Sequence, residues 1–132
     1  MEQHQKNAFA IAKWLQKQPR VQYVLYPGLE NHPGYVINKA QTTGFGGMIS
    51  FAVDNAETAR QILEGVKLIK FAESLGGTES LITYPIRQTH TDLTAEECAE
   101  KGITDCLLRF STGIEATQDL IDDLAQAFAA IE

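Results

Sequence analysis

Cysteine, basic clusters and long apolar runs are all scarce in this chain of 132 residues, and each scarcity excludes something. The only two cysteines, Cys98 and Cys106, lack CxxC spacing, so a metal site or a redox pair has little support. Both read as reduced thiols, buried or half-buried. No stretch approaches the about 20 apolar residues that cross a bilayer, and the start MEQHQK lacks the charged-then-apolar pattern of a signal peptide. A soluble, cytoplasmic chain with no membrane partner is the expectation. Eleven basic residues stand against seventeen acidic ones, a net charge of −6, and no Lys/Arg cluster is available to follow a phosphate backbone. Nucleic acid is therefore not an expected partner. There is no internal repeat, low-complexity tract or linker.

What is present suffices for one domain, since 44% of the residues are hydrophobic. Ala8, Ile11, Ala12 and Leu15 recur at helical spacing within 2–17, and Pro19 ends that helix. No Ser, Thr, Asp or Asn caps its start. Strands are predicted over 21–26, 48–53, 68–72 and 106–111, with a loop running on from 81–84. Short helices are predicted over 33–41, from an Asp54–Glu57 capping box to Gly65, and from a Thr94–Glu97 box to Gly102. The last helix, 117–131, repeats Leu120, Ile121, Leu124, Phe128 and Ile131 on one face. This interleaving predicts an α/β fold, an α+β sandwich in which helices cover one side of a small, mostly antiparallel sheet. The acidic helix positions Glu96, Glu97, Glu100, Asp119, Asp122 and Asp123 read as solvated surface.

One charge sits where charges are costly. In the apolar strand LLRFS, alternation puts Cys106, Leu108 and Phe110 on one face and Leu107, Arg109 and Ser111 on the other. The Arg109 guanidinium thus points away from the more apolar face and needs an anionic partner. Its planar fork suits a carboxylate, and the turn Ser74-Leu75-Gly76-Gly77 offers backbone N–H groups to the same anion. The plainer alternative is a structural ion pair with one of the chain's own acids. Gly44-Phe45-Gly46-Gly47 is not a nucleotide loop, because it lacks a following Lys-Ser/Thr and precedes a strand.

The same residues carry a resemblance. SLGG at 74–77, ESL at 79–81, YP at 84–85, TH at 89–90 and LLRFSTGIE at 107–115 resemble the C-terminal domain of the Cys/Met metabolism (trans-sulfuration) family of pyridoxal-phosphate enzymes. The likeness runs upstream through YPGL at 26–29, HP at 32–33 and GFGGMISF at 44–51. It implies that Arg109 binds the α-carboxylate of an amino-acid substrate of the O-acylhomoserine, cysteine or cystathionine class. Ser74, Leu75 and Thr89 would line the same pocket. Glu73 resembles the acid of the cystathionine γ-synthase and γ-lyase branches near the distal end of the substrate; an ordinary solvated carboxylate is the alternative. His90 borders that site by resemblance and reads as structural, having no paired Asp, Ser or Cys at readable spacing.

The resemblance also implies pyridoxal 5′-phosphate as cofactor in the full-length enzyme, a homotetramer, and a larger N-terminal domain that carries the cofactor. None of the lysines at 6, 13, 17, 39, 67, 70 and 101 follows the Ser-x-Thr or Ser-x-Ser of the family's catalytic lysine. The chain alone is thus expected to hold no catalytic residue, to bind no cofactor and to be inactive, a substrate-recognition domain over 1–132. A free-standing amino-acid-binding or regulatory module is the other reading of the same residues.

Overall fold

The period-2 and period-3.6 patterns resolve into five strands and five helices in the computed structural model, which describes residues 1–88 and 91–131. In chain order these are α1 (Glu2–Gln16), β1 (Val21–Leu25), α2 (Tyr35–Gln41), β2 (Met48–Val53), α3 (Ala56–Gly65), β3 (Lys70–Phe71), β4 (Leu81–Thr83), α4 (Ala95–Glu100), β5 (Leu107–Ser111) and α5 (Thr117–Ala129). The sheet order is β1-β2-β5-β4-β3, and every pair is antiparallel except β3–β4. The mostly antiparallel sheet expected from the sequence is present, with β5 at its centre.

Alternation along β5 decides where the core lies. Leu108 and Phe110 are fully buried; Leu108 pairs with Phe51, while Phe110 pairs with Ile49 on one side and Ile82 on the other. Against this face lie Ala8, Ile11, Ala12 and Leu15 of α1, Ala59 and Ile62 of α3, and Leu120 and Leu124 of α5. Each fully buried Leu, Ile or Phe contributes about 1.5–3 kcal/mol, which is why the helical stripes settle on this side. Gly65 ends α3 against α5, where a Cβ would lie 3.1 Å from that of Ala127. The opposite sheet face carries the row Leu25, Ser50, Arg109 and Thr83, placed side by side by the register of β1, β2, β5 and β4.

Three local expectations change. The cap of α3 is Asn55, whose side chain accepts the Thr58 N–H at 2.9 Å, rather than Asp54, whose carboxylate faces Arg20 at 3.3 Å. The predicted strand over 68–72 shrinks to Lys70–Phe71, because the N–H groups of Lys67, Leu68 and Ile69 all donate to the Asp123 carboxylate, at 2.8–2.9 Å, instead of to a neighbouring strand. Asp123 is accordingly not solvated surface: it is 7% exposed and staples α5 to the segment entering β3. The Thr94–Glu97 capping box forms as read, with both reciprocal bonds in place.

Tyr26 is fully buried, and its hydroxyl donates to the Gly46 carbonyl at 2.9 Å. Burial pushes the phenol from 10.0 up to about 12. The unfolded phenol ionises first, so between these values the unfolded state holds fewer protons and the stability present below the unfolded value is lost as pH rises toward the folded one. Urea midpoints measured across that window are expected to fall more steeply for the natural sequence than for Tyr26→Phe; equal slopes would contradict the burial effect.

Candidate functional site

Arg109 occupies the middle of the central strand on the face away from the core, as alternation requires, and is half-buried. Its Nη2 donates to the Glu73 carbonyl at 2.9 Å and to the Thr83 hydroxyl at 3.3 Å. The Thr83 hydroxyl gives its own proton to the Ala72 carbonyl at 2.7 Å, so a lone pair is left to face the guanidinium. Among the described residues no acid pairs with Arg109; the ion pairs are Arg20–Asp54, Arg60–Glu57 and Arg60–Glu64. Among the described residues Nε is buried without an acceptor and Nη1 has none. A guanidinium gripped through one nitrogen and left with spare donors carries an unmet demand of about 1–3 kcal/mol per buried donor. A bidentate carboxylate is the chemistry that meets it.

The segment beside it is built around the turn at 74–77. Glu73, Ser74 and Leu75 are exposed, and Gly76 has φ +77°, a left-handed conformation that favours glycine. The Gly76 N–H donates to Ser111 Oγ at 2.8 Å, which removes it from the set of free donors expected from the sequence. The N–H groups of Ser74 and Leu75 have no acceptor among the described residues. His4 Nε2 donates to the Gly77 carbonyl at 3.1 Å, bringing the start of α1 to the same turn. The Glu73 side chain is exposed and makes no ion pair among the described residues; its carbonyl, not its carboxylate, meets Arg109. Thr89 and His90 lie outside the described residues.

The sequence reading missed four side chains that shape this site: Thr83, Ser111, Ser80 and Glu115. Glu115 accepts the Ser80 N–H and hydroxyl, each at 2.7 Å, while Ser80 Oγ accepts the Gly113 N–H at 2.8 Å. Ser111 had a signal in its position two residues along the strand from Arg109, and Ser80 and Glu115 fall within the ESL and LLRFSTGIE motifs without a role read for them. Gly113 is needed for close approach, since a Cβ there would lie 2.2 Å from the Thr78 carbonyl oxygen and 2.7 Å from the Glu79 carbonyl carbon. These two obstacles are backbone, and the Glu115 carboxylate oxygen lies at 2.5 Å as well. Gly113→Ala is expected to destabilise the fold by about 2–3 kcal/mol, read from urea denaturation, whereas a loss below about 0.5 kcal/mol would contradict this packing.

The lysines at 6, 13, 17, 39, 67, 70 and 101 are all exposed. Lys13 and Lys39 lie over the rings of Phe9 and Tyr35, and Lys70 Nζ donates to the Lys67 carbonyl. A lysine that bonds a carbonyl cofactor works from a desolvated or cation-flanked pocket, which none of these occupies. Burial and the hydrogen bond to Asp105 raise the Cys106 thiol, so it is not an activated nucleophile. Among the described residues, therefore, no lysine sits in a setting suited to that bond. Among the described residues no cluster of His, Cys, Asp or Glu suits a metal, and no helix is long and apolar enough to cross a membrane.

Comparison with known proteins gives this geometry a context. The chain is 52% identical over 128 residues to a cystathionine gamma-lyase of Dictyostelium discoideum, covering 96% of this chain and 33% of that protein. Among solved structures, cystathionine gamma synthase from Xanthomonas oryzae pv. oryzae, in complex with aminoacrylate and cysteine, superposes with a TM-score of 0.91 at 43% identity, covering 99% of this chain and 35% of that one. Cystathionine gamma-lyase from Lactobacillus plantarum, complexed with L-serine, gives 0.92 at 40% identity, covering 99% and 34%. The chain thus spans about a third of the length of the relatives it matches. The family model for Cys/Met metabolism PLP-dependent enzymes matches residues 1–129, and the chain belongs to that family.

Proposed function

We propose that this chain is the substrate-recognition domain, C-terminal in the family's arrangement, of a pyridoxal-phosphate-dependent trans-sulfuration enzyme of the cystathionine γ-synthase, O-acylhomoserine thiol-lyase or cystathionine lyase type. Arg109 holds the α-carboxylate of the amino-acid substrate, with Ser74 and Leu75 at the lip, Glu73 toward the distal end and Thr89 bordering the pocket. The observation that carries this reading is the Arg109 guanidinium, held through Nη2 alone and without an acid partner among the described residues. The amino-acid ligands of the two neighbouring structures, cysteine and L-serine, carry the anion this fork suits. The contribution of the domain is orientation: a carboxylate fixed at two points on a rigid strand fixes the Cα it is attached to, without bond-making by Arg109.

The cofactor and its lysine then belong to polypeptide outside this sequence, in a cytoplasmic homotetramer. The exposed lysines of this chain support that division. Turnover tests it. Full-length protein supplied with pyridoxal phosphate is expected to convert an O-acylhomoserine plus a thiol, or cystathionine, while the isolated chain under the same conditions converts neither. Product from the isolated chain would overturn the division of labour. Amino-acid binding by the natural polypeptide, without turnover of any of these substrates, would instead make it a free-standing binding or regulatory module.

A further inference from the structure

The segment 67–80, which carries every lip residue of the Arg109 site except Thr89, is tied at both ends by carboxylates that accept backbone N–H groups. Asp123 takes those of Lys67, Leu68 and Ile69, and Glu115 takes that of Ser80 together with its hydroxyl. Between these ties the one side chain of β5 that accepts from the turn is Ser111, through the Gly76 N–H at 2.8 Å. Ser111 is 2% exposed and is fixed in the ladder between Met48 and Leu81, so its hydroxyl is a rigid point on the strand that also bears Arg109. The turn it holds delivers the Glu73 carbonyl to Arg109 Nη2 at 2.9 Å.

We propose that Ser111 and Glu115 are positioning residues for substrate: Ser111 holds the 73–77 turn, and Glu115 the Ser80 end of its segment, at the height where the Glu73 carbonyl grips one guanidinium nitrogen and leaves the others for the substrate carboxylate. The inference rests on the carboxylate reading of Arg109. Without the Ser111 hydroxyl the Gly76 N–H loses its acceptor, the turn lifts toward water, and the guanidinium loses the carbonyl that fixes its plane. A side chain that acts this way changes affinity for the carboxylate more than the chemical step, and its effect vanishes once the fork itself is gone.

The experiment uses full-length, cofactor-loaded enzyme and steady-state kinetics. Ser111→Ala is expected to raise KM for the amino-acid substrate about tenfold with kcat within about twofold, as one lost hydrogen bond at a binding surface predicts. Glu115→Ala is expected to act likewise, and Glu115→Gln, which keeps an oxygen for the Ser80 N–H, about threefold less. In an Arg109→Lys background Ser111→Ala is expected to add less than about twofold, because the two changes remove one arrangement. If Arg109→Lys raises KM while Ser111→Ala does not, or if the two effects multiply in full, the positioning role is overturned and the carboxylate reading stands. If Arg109→Lys leaves KM unchanged, both fall. A loss in Ser111→Ala confined to kcat and melting temperature also overturns the positioning role.

Discussion

Arg109→Lys in the full-length enzyme is expected to raise KM for the amino-acid substrate about 100-fold and to lower kcat as well. Lysine keeps the charge but is a compact, strongly hydrated point donor, and cannot present two parallel N–H groups to a carboxylate while keeping the Glu73 carbonyl and the Thr83 hydroxyl. Losing a bidentate, partly desolvated charge pair costs about 2–5 kcal/mol, and each 1.4 kcal/mol is tenfold in affinity. The fall in kcat follows because a carboxylate held at one point no longer fixes the Cα beside it. The fold is expected to tolerate the change, since Arg109 has no ion pair among the described residues to lose. Steady-state kinetics with matched melting curves check both halves, and unchanged KM and kcat would reject the clamp.

The second large effect concerns the fold that carries the site. Asp123→Ala is expected to destabilise the protein by about 3–5 kcal/mol, a fall in melting temperature of about 10–15 °C for a domain of this size. One carboxylate satisfies three successive backbone donors, at 2.8, 2.9 and 2.8 Å, and also accepts from Gln126 Nε2 at 3.2 Å. Removing it orphans the N–H groups of Lys67, Leu68 and Ile69 together, and Ile69 is buried at the edge of the core. Asp123→Asn keeps one accepting oxygen and is expected to lose about half as much. Denaturation midpoints within about 0.5 kcal/mol of the natural sequence would mean that water replaces the carboxylate without cost. Because these residues lead into the segment bearing Glu73, the same variant is expected to weaken substrate binding as well as stability.

What was legible in the sequence follows from which patterns are local. Period-2 alternation in LLRFS placed Leu108 and Phe110 in the core and Arg109 opposite them, because a strand leaves a side chain only two faces. The stripes of α1 and α5 and the Thr94 capping box are likewise settled within a few residues. Asp123 was not legible: it follows Asp119 and Asp122 in an acidic helix, and its burial depends on backbone 56 residues away. The α3 cap differs for a similar reason, since Asp54 and Asn55 are both competent caps and Asp54 instead meets Arg20, 34 residues distant. The partner that fixes Arg109 is a backbone carbonyl 36 residues upstream, and a carbonyl carries no residue identity for a sequence to reveal. For that reason alternation pointed to an anion-seeking arginine but not to the turn that aims it.

The carboxylate clamp is tested most directly by comparing the affinity of the full-length enzyme for its amino-acid substrate with that for the corresponding carboxamide, in the natural sequence and in Arg109→Lys. The natural enzyme is expected to prefer the carboxylate by about 100-fold and the variant to lose most of that preference, because the amide offers the fork no second anionic oxygen. Equal preference in both proteins would place the carboxylate somewhere other than Arg109.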